Sequence, residues 1–281
     1  MSERGYFRSG LPYTRIGNGE KILVVFDGLT FEHKPQSPAY VKIYSFLEQD
    51  YTVYSVLRKP HPPQGYSLDD MANDYAVTIE QEFKAPVDII GISTGGSVAL
   101  HFAALHPSLV RRLVLHSSAH TLSERAKILQ LDVARFAEQG TWNKAWRRLI
   151  ATMYPHSGFL FHLSKPLVTL IAFLLSLQHP ADPTDLMVTV AAEDKHAFQN
   201  QLHEIACPTL VAGGEDDYFY SPDLFRETAE GIPNARLCLY PNMAHPAGGK
   251  QFKEDVLRFL RESEYMIEAM VAFESGSDEP R

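Results

Sequence analysis

Hydrophobic residues gather along this chain in short runs, and stretches with helical spacing separate them. "KILVVFDG" (21–28), "YTVYSVLRK" (51–59), "VDIIGIS" (87–93), "VRRLVLHSSA" (110–119), "CPTLVAGGEDD" (207–217) and "ARLCLYP" (235–241) are rich in Val, Ile, Leu and Tyr. Several are apolar on both faces, the pattern of strands in a covered parallel sheet. Between them, Ser67 with Asp70 three residues later makes a capping-box pattern, and Leu68, Met71, Tyr75 and Ile79 then mark one face at helical spacing. Phe252, Val256, Phe259 and Leu260 repeat that spacing near the end. The alternation predicts an α/β fold with right-handed crossovers and a mostly parallel central sheet carrying helices on both faces. No internal repeat of fixed period is visible.

One region breaks the alternation. From 121 to 202 no run reads as a strand; Leu129, Val133 and Phe136, then Trp142, Trp146 and Leu149, recur at helical intervals. We therefore expect a first part of the α/β core over 1–120, a helical insertion over 121–202, a second part of the core over 203–263 and a polar tail over 264–281. Within the insertion, "PLVTLIAFLLSL" (166–177) is apolar around most of a helix. It must be buried against the core, a neighbouring helix, a second subunit or a ligand.

Composition narrows the classes. A chain of 281 residues with 45% hydrophobic content can bury a large core. Its 26 basic and 34 acidic side chains give a net charge of -8, with no basic cluster to track a phosphate backbone, so nucleic acid is not expected as a partner. Cys207 and Cys238 each sit in an apolar run and read as buried free thiols. The stretch "MSERGYFRSGLPY" lacks the apolar segment of a signal peptide, and the run over 166–177 is too short to span a bilayer. A soluble, cytoplasmic protein is expected.

The chemistry concentrates at "GISTGG" (91–96), which fits GxSxG with a strand pattern before it and a helix pattern after it. That context is what a nucleophile elbow requires. Glycine at 91 and 95 lets the backbone fold tightly around Ser93, and the following helix turns its free N–H groups toward the serine. A serine needs a base, and the base an orienting acid. Asp216 and Asp217 follow the run "TLVAGG", and His245 follows "ARLCLYP", so all leave the sheet at the carboxyl edge that carries Ser93.

These motifs resemble the α/β-hydrolase superfamily, in the capped branch that includes esterases, lactonases, cofactor-free haloperoxidases and carbon–carbon bond hydrolases. The likeness runs from about residue 14 to 262, interrupted by the insertion, which in this family is a helical cap. "GGEDD" stands where the family carries a GxxD acid motif and "AHPAG" where it carries the histidine loop. The resemblance thus implies Ser93, Asp217 and His245 as catalytic residues, with Asp216 as the alternative acid. It also implies an oxyanion hole from the N–H groups of Leu29 and Thr94. Two departures stand out. Members usually have His-Gly where "FDGLTFEH" has Asp27 and Gly28, and often glycine where Ala244 precedes the histidine. A carboxylate at 27 could oppose an oxyanion unless it is tied to neighbouring N–H groups.

The function expected on these grounds is hydrolysis of a small, partly apolar carboxylic ester or lactone through an acyl-enzyme. No metal or organic cofactor is required. Carbon–carbon bond hydrolysis or acyl transfer on the same residues stays open, as does a non-catalytic binding protein on a hydrolase scaffold, for which Asp27 is the feature. A homodimer also stays open.

Overall fold

The structure is a computed structural model describing residues 2–84, 86–153, 159–177 and 179–275. Eight strands, β1 (Glu3–Tyr6), β2 (Pro12–Ile16), β3 (Lys21–Phe26), β4 (Tyr51–Val56), β5 (Val87–Ile92), β6 (Val110–His116), β7 (Thr209–Gly214) and β8 (Ala235–Tyr240), form one sheet in the order β1-β2-β4-β3-β5-β6-β7-β8. From β4 to β8 every pairing is parallel, while β1 and β2 pair antiparallel at one edge. The helices are α1 (Pro38–Val41), α2 (Leu68–Glu82), α3 (Thr94–Leu105), α4 (Glu124–Glu138), α5 (Trp142–Ile150), α6 (Phe159–Ser176), α7 (Thr184–Asp194), α8 (Pro222–Gly231) and α9 (Gly249–Ser275). Among the described residues, no helix is long and apolar enough to cross a membrane.

Alternate side chains of each central strand point to opposite faces, so the apolar runs feed two cores. Val24, Phe26, Ile89, Leu113, Leu115 and Val211 pack with α2, α3 and α8. Leu23, Val25, Ile90, Val114, Leu210 and Ala212 pack with the Val41–Leu47 segment and with Phe252, Val256, Phe259 and Leu260 of α9. The capping box predicted at Ser67 and Asp70 is present in both directions, and Leu68, Met71, Tyr75 and Ile79 are the buried face of α2.

The register brings the ends of the parallel strands level. Phe26 pairs with Gly91, Ile92 with His116, His116 with Ala212, and Gly214 with Tyr240. The residues that follow, including Asp27, Ser93, Asp217 and His245, therefore leave the sheet at one edge.

Helices α4 to α7 lie between β6 and β7. Helix α7 is fixed to the rest of the chain by two buried carboxylates. Asp185 accepts from the backbone N–H of His33 at 2.7 Å and of His61 at 2.6 Å. Glu193 accepts from the Thr94 hydroxyl at 2.6 Å, the Ser97 hydroxyl at 3.0 Å and Gln130 Nε2 at 3.2 Å. Burial raises the Glu193 pKa, and the three donors oppose that rise. Replacing Glu193 by alanine leaves these buried groups short of acceptors; we expect a loss of about 2–3 kcal/mol in urea unfolding, with Glu193→Gln closer to wild type. Equal stability of Glu193→Ala and wild type would remove this helix contact from the account.

The structure bears on three expectations. The apolar run over 166–177 lies in and just after α6, yet Leu170, Phe173, Leu174 and Leu177 stay 54%, 49%, 54% and 63% exposed. The helix packs on α5, which leaves a second subunit or a ligand to cover these four side chains; Ala172, by contrast, is fully buried. Cys207 is buried as expected, but Cys238 is only partly covered, because β8 is the edge strand. The tail expected from 264 is helical as far as Ser275, in keeping with the absence of Gly and Pro from 264–275; the last six residues lie outside the described ones.

Candidate active site

Ser93 links β5 to α3 with φ 52° and ψ −127°, a combination costly for any residue with a Cβ. The neighbouring glycines make it sterically feasible. A Cβ on Gly95 would sit 1.9 Å from the Phe26 carbonyl oxygen, and one on Gly91 would meet Gly96 Cα at 2.6 Å. The Ser93 N–H donates to His116 O at 3.0 Å, which ties the turn to the next strand.

His245 lies within reach of that serine. Its Nε2 is 3.0 Å from Ser93 Oγ, and its Nδ1 is 2.8 Å from Asp217 Oδ2. The other oxygen of Asp217 accepts from the backbone N–H groups of Phe219 at 2.8 Å and Tyr220 at 3.2 Å. Asp217 is 2% exposed, whereas Asp216 is exposed and contributes a backbone N–H to Met243 O at 3.0 Å. The structure therefore brings Ser93, His245 and Asp217 together and leaves the Asp216 carboxylate outside. A serine hydroxyl beside an imidazole whose far nitrogen is bound to a carboxylate has the geometry of a proton relay.

The histidine loop has its own support. His116, buried and held well below the usual histidine range at about 4 chiefly by that burial, is neutral at pH 7. Its Nε2 lies 2.7 Å from Ala247 O, and its Nδ1 lies 2.8 Å from the Tyr44 hydroxyl. The Ser117 hydroxyl accepts from the Ala247 N–H at 2.9 Å. The rings of Phe219 and Tyr220 lie 4.6 Å and 6.0 Å from that of His245.

Opposite the elbow runs the loop Asp27–Gly28–Leu29. A Cβ on Gly28 would lie 3.5 Å from Ser93 Cβ. Thr94 opens α3, so its N–H has no partner within the helix. The Leu29 N–H joins none of the turn and loop hydrogen bonds among the described residues. Asp27 is held by the Ser55 hydroxyl instead of by backbone N–H groups. Burial raises its pKa to about 6, against the opposing pull of Ser55 and Arg58. A carboxyl whose folded pKa lies above its unfolded one binds more protons when folded, so stability falls as pH rises from about 4 to 6. Asp27→Asn should flatten the fall in thermal midpoint over that window; an unchanged slope would show that Asp27 does not titrate there.

Sequence reasoning missed His116 as a support for the histidine loop, Glu193 on the Thr94 side chain, and Arg58, which donates to the carbonyls of Asp27 and Gly28. Among the described residues no group of His, Cys, Asp and Glu is arranged to hold a metal ion.

A sequence model of the family described as serine aminopeptidase, S33, matches residues 61–247. The chain belongs to this family of α/β hydrolases. This α/β hydrolase is 23% identical over 270 residues to a 2-hydroxy-6-oxononadienedioate/2-hydroxy-6-oxononatrienedioate hydrolase of Pseudomonas sp, covering 91% of this chain and 93% of that one. It is 24% identical over 192 residues to a putative non-heme bromoperoxidase of Mycobacterium tuberculosis, covering 65% of this chain and 70% of that one. Among solved structures, the enol-lactonase from Burkholderia xenovorans LB400 superposes with a TM-score of 0.71 at 16% identity, covering 92% of this chain and 99% of that one. The last likeness concerns the fold.

Proposed function

We propose that this α/β hydrolase cleaves a small, partly apolar carboxylic ester or lactone through an acyl-enzyme on Ser93. The observation that carries this reading is the His245 ring, held between Asp217 at 2.8 Å and Ser93 Oγ at 3.0 Å. In this reading His245 takes the Ser93 proton as the hydroxyl attacks the carbonyl, and Asp217 orients the imidazole and stabilises its charged form. The oxyanion is received by the N–H groups of Leu29 and Thr94, and His245 then protonates the leaving alcohol. Water, deprotonated by the same imidazole, releases the acid and restores Ser93.

The helical insertion serves in this proposal as a cap that walls the site. Supporting it, Phe31, two residues beyond Leu29, meets Trp142 and Trp146 of α5 at ring distances of 5.8 Å and 4.3 Å. Such a wall favours apolar groups, each buried methylene contributing about 0.8 kcal/mol, or roughly fourfold in kcat/KM. The test is a series of p-nitrophenyl esters from acetyl to octanoyl: specificity should climb through the medium chains. No turnover on any member, with folded protein, would sink the ester reading.

A second reading is favoured by the likeness to the Pseudomonas hydrolase, which extends over 91% of this chain. It is hydrolysis of a carbon–carbon bond in a vinylogous diketone by the same residues. Turnover of such a diketone without turnover of esters would select it.

A further inference from the structure

The loop that carries Asp27, Gly28 and Leu29 has no regular secondary structure, and one buried side chain grips it. Arg58, just beyond β4, is 1% exposed. Its Nη1 donates to Asp27 O at 2.7 Å and its Nη2 to Gly28 O at 2.7 Å, while Nε donates to His33 Nε2 at 3.3 Å. His33 suits the last contact: burial holds its pKa down to about 3, and its Nδ1 lies 2.9 Å from Lys59 O, which leaves Nε2 as the acceptor.

Among the described residues, no carboxylate lies within ion-pair distance of this guanidinium. Burying an unpaired charge is costly, and here the compensation comes from two consecutive backbone carbonyls. A planar peptide ties these contacts to the site. Because the Gly28–Leu29 peptide is flat and trans, its C=O and N–H point in opposite directions. Fixing Gly28 O on Arg58 fixes the Leu29 N–H on the other side, while Gly28 itself backs onto Ser93, 3.5 Å from where its Cβ would be.

We infer that Arg58 is a positioning residue for the oxyanion hole: by holding the carbonyl oxygens of Asp27 and Gly28, it aims the Leu29 N–H at the oxygen that forms above Ser93. The inference rests on the role proposed for Ser93 and Leu29. Lysine cannot reproduce the fork, because a single ammonium does not meet two carbonyls in fixed geometry. The group that acts on the reacting oxygen remains the peptide N–H.

The experiment compares Arg58→Lys, Arg58→Gln and Ser93→Ala with wild type in the full chain, using the best p-nitrophenyl ester. Active sites are counted by fluorophosphonate labelling taken to completion. Both Arg58 variants should lose about a hundredfold in kcat per labelled site with KM within a few-fold, the signature of an interaction made in the transition state. Affinity for phenylboronic acid, whose tetrahedral adduct on serine carries the oxyanion, should fall at least tenfold alongside. A merely structural role would lower the thermal midpoint and the number of labelled sites, and leave kcat per site unchanged. Wild-type kcat per site in either folded variant overturns the inference. If neither folds, wild type labelled with leucine-15N decides: the Leu29 amide proton must move downfield on boronate binding, and an unmoved resonance overturns it. Activity retained in Ser93→Ala would sink the underlying reading of the site, whereas a dead Ser93→Ala with fully active Arg58 variants sinks only this inference.

Discussion

Ser93→Ala should reduce kcat on p-nitrophenyl esters by about 10⁴ to 10⁶ while leaving the thermal midpoint within a few degrees of wild type or above it. Two terms set this expectation. The hydroxyl is the only group at the elbow in hydrogen-bond contact with His245, at 3.0 Å, so its removal leaves the imidazole with no nucleophile to activate. Alanine keeps the strained backbone, with φ at 52°, but needs no more room than serine. His245→Ala should be nearly as damaging, and the double variant no worse than Ser93→Ala, because groups that act as a unit do not lose activity additively. A fluorophosphonate probe gives an independent readout: wild type should be labelled and Ser93→Ala should not. Equal labelling of the two would place the nucleophile elsewhere.

Asp217→Asn should cost about 10³ to 10⁴ in kcat, and Asp216→Asn no more than a few-fold. The hydrogen bonds around Asp217 explain why an isosteric change does such harm. One of its oxygens accepts from the N–H groups of Phe219 and Tyr220, so an asparagine must turn its carbonyl oxygen to them. Its amide NH₂ then faces His245 Nδ1. The imidazole answers by taking the tautomer with hydrogen on Nε2, which points at Ser93 and cannot accept its proton. Asp216 has no such contact: its side chain is exposed, and its backbone N–H, which donates to Met243 O, is unchanged by the substitution. Measuring kcat for both variants on one ester, with circular dichroism to check folding, ranks the acids. A larger loss for Asp216→Asn would move the role to that residue.

What could be read in the sequence follows from how local the causes are. The strands over 21–26, 87–92 and 209–214 are buried on both faces, and their apolar runs stood out without any knowledge of neighbours. The capping box of α2 depends on residues three apart and was equally plain. The antiparallel pair β1 and β2 was missed, because "ERGY" is mostly exposed and "PYTRI" opens on a proline, so neither carries an apolar run. At the candidate site, Ser93, Asp217 and His245 follow strand ends with recognisable motifs. Arg58 also follows a strand end, but neither it nor Glu193 carries a motif. Arg58 meets carbonyls 30 and 31 residues away, and Glu193 meets Thr94 across 99 residues. Backbone carbonyls also leave no mark in a sequence, so a buried arginine that binds them looks like the charged end of any strand.

Glu193 has a consequence for anyone recombining this protein with its relatives. Its carboxylate belongs to a helix between β6 and β7, as does Gln130, while the hydroxyls of Thr94 and Ser97 belong to the helix that begins at the elbow. The natural place to cut a chimaera, at the two ends of the helical stretch, would divide these four residues between parents. A foreign helical stretch without a carboxylate at the place of Glu193 would leave two buried hydroxyls without their acceptor, the nearer of them one residue from Ser93. Swapping that stretch for one of different polarity at this place therefore requires positions 94 and 97 to travel with it.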